Sequence, residues 1–108
     1  MKYRNKIHYP VNDIKIAGFA KALGHPARIA IMRYLASVET SLFKDISEIL
    51  PLADSTVSQH LAELRKAGLI NGEPEPPKVN YSIDHKNWKN ARKFLKEFTK
   101  IPIKKDHK

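Results

Sequence analysis

Three observations predict a mainly α domain that closes with a small β-hairpin. Apolar residues recur at helical spacing in five stretches. Alternation at period two runs over Val79, Tyr81 and Ile83, after the fourth stretch. Gly24, Pro26, Pro51, Gly68 and Pro102 punctuate the boundaries between them. At 108 residues the chain has room for one domain. It divides into a basic arm over 1–12, a folded body over 13–100 and a basic tail over 101–108.

Asn12 or Asp13 is placed to cap the first helix, which runs to about Leu23 and stops at Gly24, a natural residue just past a helix end. Ile16, Phe19, Ala20 and Leu23 form its core face, and Ile14 and Ala17 a second, smaller one. Pro26 suits the first position of a second helix, which reaches about Ser37 and is apolar on most sides apart from Arg28 and Arg33. A short third helix spans about Phe43 to Leu50, with Phe43, Ile46, Ile49 and Leu50 facing inward, and Pro51 breaks it.

The fourth helix opens near Asp54, a carboxylate at the positive end of the helix dipole, and ends at Gly68. Val57, Leu61 and Leu64 make its buried stripe. A short helix, a tight turn and a longer helix beginning with small polar residues form a helix-turn-helix. Leu69 to Gly72 and the alternating run of Val79, Tyr81 and Ile83, around the proline-rich tip Glu73-Pro74-Glu75-Pro76-Pro77, then form a two-stranded β-wing. A fifth helix from Lys86 to about Lys100 carries Trp88, Ala91, Leu95 and Phe98 as an apolar stripe, and lysine and arginine crowd its other faces. The fold class is therefore a winged helix-turn-helix of about five helices.

Charge points to the partner. Twenty basic and eleven acidic residues leave a net +9, which favours a polyanion. Residues 1–30 carry +5 and residues 86–108 carry +7, whereas residues 31–85 carry −3. The absence of cysteine excludes a disulfide scaffold and thiolate chemistry. No apolar run is long enough to span a membrane, and the start of the chain lacks the apolar stretch of a secretory signal, so a cytoplasmic protein is expected.

The chain resembles the ArsR/SmtB family of winged-helix transcriptional repressors. The resemblance rests on Leu23-Gly24-His25-Pro26-Ala27-Arg28, on Asp45-Ile46 and on Ser55-Thr56-Val57-Ser58-Gln59-His60-Leu61. Leu64-Arg65-Lys66-Ala67-Gly68-Leu69-Ile70 and Tyr81-Ser82-Ile83 extend it, so that it runs from about Asp13 to Phe98. It implies a homodimer that binds an imperfect palindrome in double-stranded DNA and releases it when an effector binds. The sequence identifies no effector. The resemblance also implies dimerisation through the first and last helices, here Ile14, Ala17, Trp88, Ala91, Leu95 and Phe98.

Helix geometry independently selects a DNA-contacting face on the fourth helix. With Val57, Leu61 and Leu64 inward, Ser55, Gln59 and Lys66 point out, flanked by Thr56 and Ser58, while His60 lies at the edge of the stripe. Short hydroxyls let the backbone approach phosphate, and Gln59 can pair with adenine through two hydrogen bonds. Lys78 is the one wing residue able to neutralise a phosphate nearby. Two features depart from the family: Asp54 would repel phosphate, and the wing tip is acidic. The arm residues Lys2, Arg4 and Lys6 and the fifth-helix lysines are alternative sources of affinity, although a lysine-rich helix is also an ordinary solvated face.

No metal or cofactor is expected. Metal sensors of the family use third-helix cysteines, or carboxylate and histidine ligands on the last helix. Leu42 and Lys44 match the former, and Lys86 stands where the first last-helix histidine belongs. His25, before Pro26, reads as structural, and His8, His85 and His107 do not complete a ligand set. Enzyme chemistry has no basis either. There is no glycine-rich phosphate loop, and Ser55 and Ser58 near His60 lie on a helix surface without an oxyanion hole. The expected function is a homodimeric, sequence-specific DNA-binding regulator of the repressor type. The alternative is an architectural protein that coats DNA with little sequence preference.

Overall fold

The structure, a computed structural model, describes residues 8–75 and 78–105. The arm residues Lys2, Arg4 and Lys6, the tip prolines Pro76 and Pro77, and His107 lie outside the described residues. The elements are α1 (Val11–Ala22), α2 (Pro26–Val38), β1 (Thr40–Leu42), α3 (Phe43–Glu48), α4 (Asp54–Lys66), β2 (Ile70–Glu75), β3 (Lys78–Ile83) and α5 (His85–Thr99).

The five helices fall where their apolar periodicity places them, with corrected ends. Neither Asn12 nor Asp13 caps α1. Pro10 precedes the helix without a side-chain cap, and both residues lie within its first turn. The second helix is capped by His25, whose Nδ1 accepts from the amide of Ala27 at 3.0 Å, with Pro26 at the first helical position. In α3, Ile46 is fully buried, but Ile49 at the helix end is exposed.

The sharpest helix end is that of α4. Gly68 adopts φ +79, its amide donates to the carbonyl of Arg65, and the amide of Leu69 reaches back to that of Leu64. This paired closure is the Schellman arrangement, which favours glycine because a side chain is strained at that φ. Val57, Leu61 and Leu64 are buried as their spacing requires, joining Ile31 and Leu35 of α2, Ile46 of α3 and Ile70 of β2 in one core. Each such side chain contributes about 1.5–3 kcal/mol through burial. These contacts hold α4 from below.

The sheet has three strands rather than the expected two. Its order is β1-β3-β2, with both pairings antiparallel. Thr40, Ser41 and Leu42 pair with Ser82, Tyr81 and Asn80, while β2 pairs with β3 along the full length from Ile70↔Ile83 to Glu75↔Lys78. Three residues are too few to display alternation, which is why β1 leaves no sequence signal. The chain swings into it at Glu39, whose φ of 66 is rare for a residue with a side chain.

At the far end, α5 is capped by Asp84, whose Oδ1 accepts from the amide of Asn87 at 3.0 Å. The helix packs along α1 of the same chain, bringing the Phe19 and Phe94 rings to 6.4 Å. That packing corrects the expected stripe. Ala91 is 0% exposed within the domain core, so its side chain is not free for a partner, and Trp88 is half-buried against that core. Leu95 is half-buried, whereas Phe98 is 50% exposed.

Candidate nucleic-acid interface

The outward face of α4 is built by exclusion. Once Val57, Leu61 and Leu64 are inside, Ser55, Ser58, Gln59, Ala62 and Lys66 remain exposed, and Thr56 is half-buried. Their spacing keeps them on one side of a helix of 13 residues. Ser55 and Thr56 lie in the first turn; the Thr56 amide donates to the carbonyl of Ala53 at 3.0 Å, so it is the small hydroxyls that can meet phosphate oxygens. Gln59 is one turn further along, with an amide able to donate and accept against an adenine edge. Lys66 closes the row. Lys78, exposed at the start of β3, belongs to the wing.

The carboxylate of Asp54 is turned to a structural use. Its Oδ1 accepts a hydrogen bond from Oγ of Ser47, joining the end of α3 to the start of α4 across the turn. At the other end of α4, Nδ2 of Asn87 donates to the carbonyl of Gly68 at 2.9 Å. The candidate recognition helix is thus tied at its start to α3 and at its end to α5.

His60 corrects the sequence reading. It is 7% exposed and points away from the outward face. Its Nδ1 accepts from Nε of Arg28 at 3.0 Å, and its ring centroid is 4.4 Å from that of His25. A ring that accepts at Nδ1 is neutral, with its proton on Nε2. Burial foremost, then the neighbouring His25 and the Arg28 guanidinium, hold the His60 ring below its ordinary value of 6.5. Arg28 also donates through Nη1 to the carbonyls of Lys21 and Ala22, at 3.2 and 3.3 Å, at the end of α1. Sequence reasoning gave Arg28 no role. The sequence carries no mark that sets Arg28 apart from Arg33 in the same apolar run, although Arg33 is exposed and Arg28 half-buried.

A separate apolar surface lies on α1 and α5. A cavity of about 610 Å³ is lined by Tyr9, Asp13, Ile14, Ile16, Ala17, Ala20 and Phe98. Ile14 is 58% exposed, and Val11 and Tyr9 are exposed beside it. Of the residues expected at an interface, Ile14, Ala17 and Phe98 come together here. Leu42 is half-buried and Lys44 exposed, flanking the start of α3. Among the described residues no three histidine, aspartate or glutamate side chains converge as a metal site would require.

Comparison with known proteins agrees with this architecture. A family described as "Bacterial regulatory protein, arsR family" matches residues 25–72. Over 67 residues the chain is 34% identical to the HTH-type transcriptional regulator YgaV of Escherichia coli, a match spanning 62% of this chain and 68% of that protein. It is 36% identical over 72 residues to the transcriptional activator HlyU of Vibrio cholerae, spanning 67% of this chain and 66% of that protein. The solved structure of HlyU has a TM-score of 0.68 at 29% identity, covering 83% of this chain and 97% of that one. The transcriptional repressor PagR of Bacillus anthracis gives a TM-score of 0.62 at 27% identity, covering 79% of this chain and 93% of that one.

Proposed function

The chain belongs to the arsR family of bacterial regulatory proteins, and from that premise we propose that it is a homodimeric repressor that reads an imperfect DNA palindrome through α4. Members of this family are transcriptional regulators and not enzymes. The observation that carries the proposal is the sorting of α4: Val57, Leu61 and Leu64 hold it from one side, leaving Ser55, Ser58, Gln59 and Lys66 exposed on the other. In this reading Ser55, Thr56 and Ser58 fix the register on phosphates, Gln59 reads a base, and Lys66 and Lys78 neutralise phosphates.

A palindrome reader needs two recognition helices about one DNA turn apart, which requires two-fold symmetry. The apolar groove beside α1 and α5, with Ile14, Ala17 and Phe98 on its surface, supports dimerisation there, and in this reading the half-buried Leu95 of α5 joins it. Covering the groove removes an apolar patch of the kind that monomers avoid. Occupation of a promoter by the dimer would exclude polymerase, as a repressor does. PagR is described as a repressor and HlyU as an activator, so a reporter assay decides the direction. No helix is long and apolar enough to cross a membrane among the described residues, and we place the protein in the cytoplasm with its DNA.

The test is selection of duplexes by the purified protein from its own genome, followed by competition with random DNA at several salt concentrations. A regulator retains a specificity ratio of about 10³ or more as salt rises. A ratio near one at every salt would replace this reading with an architectural protein that coats DNA.

A further inference from the structure

The Arg28–His60 pair joins three elements at one point. The guanidinium of Arg28, on α2, holds the carbonyls of Lys21 and Ala22 at the end of α1 and Nδ1 of His60 on α4. His60 is adjacent in sequence to the outward Gln59, and an α-helix advances about 100° per residue. The direction of the imidazole therefore sets the direction of Gln59. At a side-chain radius of roughly 5–6 Å, a 15° roll of α4 would move the Gln59 tip by about 1.4 Å, enough to break a base contact.

We propose that the hydrogen bond from Nε of Arg28 to Nδ1 of His60 is a positioning contact for the DNA-reading helix, and that it exists only while the His60 ring is neutral, so that acidification releases DNA. The inference rests on the DNA-binding reading given above. A protonated imidazole has no lone pair at Nδ1 and donates from both nitrogens. Arg28 would then lose its acceptor and face a second cation. The groups in contact with the ring add positive charge: His25 and Arg28 face it from the α2 side. Lys21 of α1 lines the cleft between α1 and α4 together with Glu63 and Lys66, both on α4. Glu63 is the one carboxylate among them.

The ring is held below its ordinary value of 6.5 in the folded protein, so the contact is complete above that value. It is lost as the pH falls from there through the lower folded-state midpoint. If only the neutral form binds DNA, affinity falls about tenfold per protomer for each pH unit below that midpoint, and so about a hundredfold for a dimer that must engage both of its α4 helices. Ordinary electrostatics has the opposite sign, because histidines that gain charge strengthen attraction to phosphate.

Fluorescence anisotropy between pH 8 and pH 5, with a duplex the wild-type protein has selected from a random pool, tests the proposal alongside circular dichroism. Wild type should lose affinity in acid with its helix content unchanged. His60→Asn, which offers an acceptor near the Nδ1 position and cannot be protonated, should show no acid loss. His25→Asn, which preserves a capping residue for α2, should lose affinity as wild type does. The proposal is overturned by constant or rising wild-type affinity, or by unfolding that coincides with the loss. It is equally overturned if His60→Asn falls in parallel with wild type, or if His25→Asn abolishes the effect.

Should His60→Asn fail to fold, nitrogen-detected NMR of the wild-type imidazoles decides instead. It should show His60 protonated on Nε2 at pH 7.5, with a titration midpoint matching that of the affinity loss. An Nδ1 proton or a mismatch of midpoints refutes the proposal. Failure to select any duplex overturns the DNA reading together with this inference, whereas the NMR result without DNA isolates the Arg28–His60 bond itself.

Discussion

Replacing Gly68 by alanine isolates the joint between α4 and α5. The substitution acts in two ways. At φ +79 an alanine carries left-handed backbone strain of about 1–2 kcal/mol. Its Cβ would also lie 2.8 Å from Nδ2 of Asn87, closer than non-bonded atoms tolerate, so the amide must move and its 2.9 Å bond to the Gly68 carbonyl is lost. That bond adds about 1 kcal/mol, giving a total near 2–3 kcal/mol for Gly68→Ala. Asn87→Ala loses that bond, together with the longer 3.4 Å one from Nδ2 to Oδ2 of Asp84, without the backbone strain, about 1 kcal/mol. In the double variant the bond is already gone and the collision is absent, leaving strain plus bond, again about 2–3 kcal/mol. The two single losses should therefore exceed the double loss by about 1 kcal/mol. Urea denaturation of the four proteins measures this coupling, and thermal melting should follow at roughly 4–8 °C per kcal/mol. Additivity within about 0.3–0.5 kcal/mol would refute the collision and the reasoning built on it.

Three further outcomes are expected. Gln59→Ala should reduce preference for the selected duplex by about 1–3 kcal/mol while sparing random DNA, as read by competition binding, and equal losses on both would remove Gln59 from base recognition. Phe98→Glu places a charge on the apolar groove, so sedimentation equilibrium should find a folded monomer with operator binding strongly reduced; a stable dimer that still binds would put the interface elsewhere. Glu39→Gly should relieve the strain of its φ of 66 and raise stability by about 1 kcal/mol in urea, an assignment that a destabilised variant would contradict.

Much of this architecture was legible because periodicity and punctuation agree. Val57, Leu61 and Leu64 announce both the inside of α4 and, by exclusion, its outside, and Gly68 marks its end. What escaped depends on partners distant in sequence. His60 follows Gln59 on a polar helix, and only the position of Arg28, 32 residues earlier, shows that it faces inward. Ala91 and Trp88 belong to a stripe suited to either a partner or the domain itself. The packing of α5 on α1, with Phe94 against Phe19, decides for the domain. The Asn87 tie was invisible for the same reason, since an asparagine in a first helical turn carries no mark of a carbonyl 19 residues away. The third strand was lost to brevity.

That short strand alters the mechanics of the wing. At its root β3 is clamped on both sides, by β1 over Asn80, Tyr81 and Ser82 and by β2 along its length. Beyond Asn80 the clamp is one-sided, because Val79 and Lys78 pair only with β2. The hairpin is a cantilever with a braced root and a compliant outer span, and Lys78 rides on the compliant part. Bending there would let the lysine follow a DNA backbone whose groove width varies from site to site, without transmitting torque to α4. Amide exchange measures the two regimes, with slow exchange at Tyr81 and Ser82 and faster exchange at Val79.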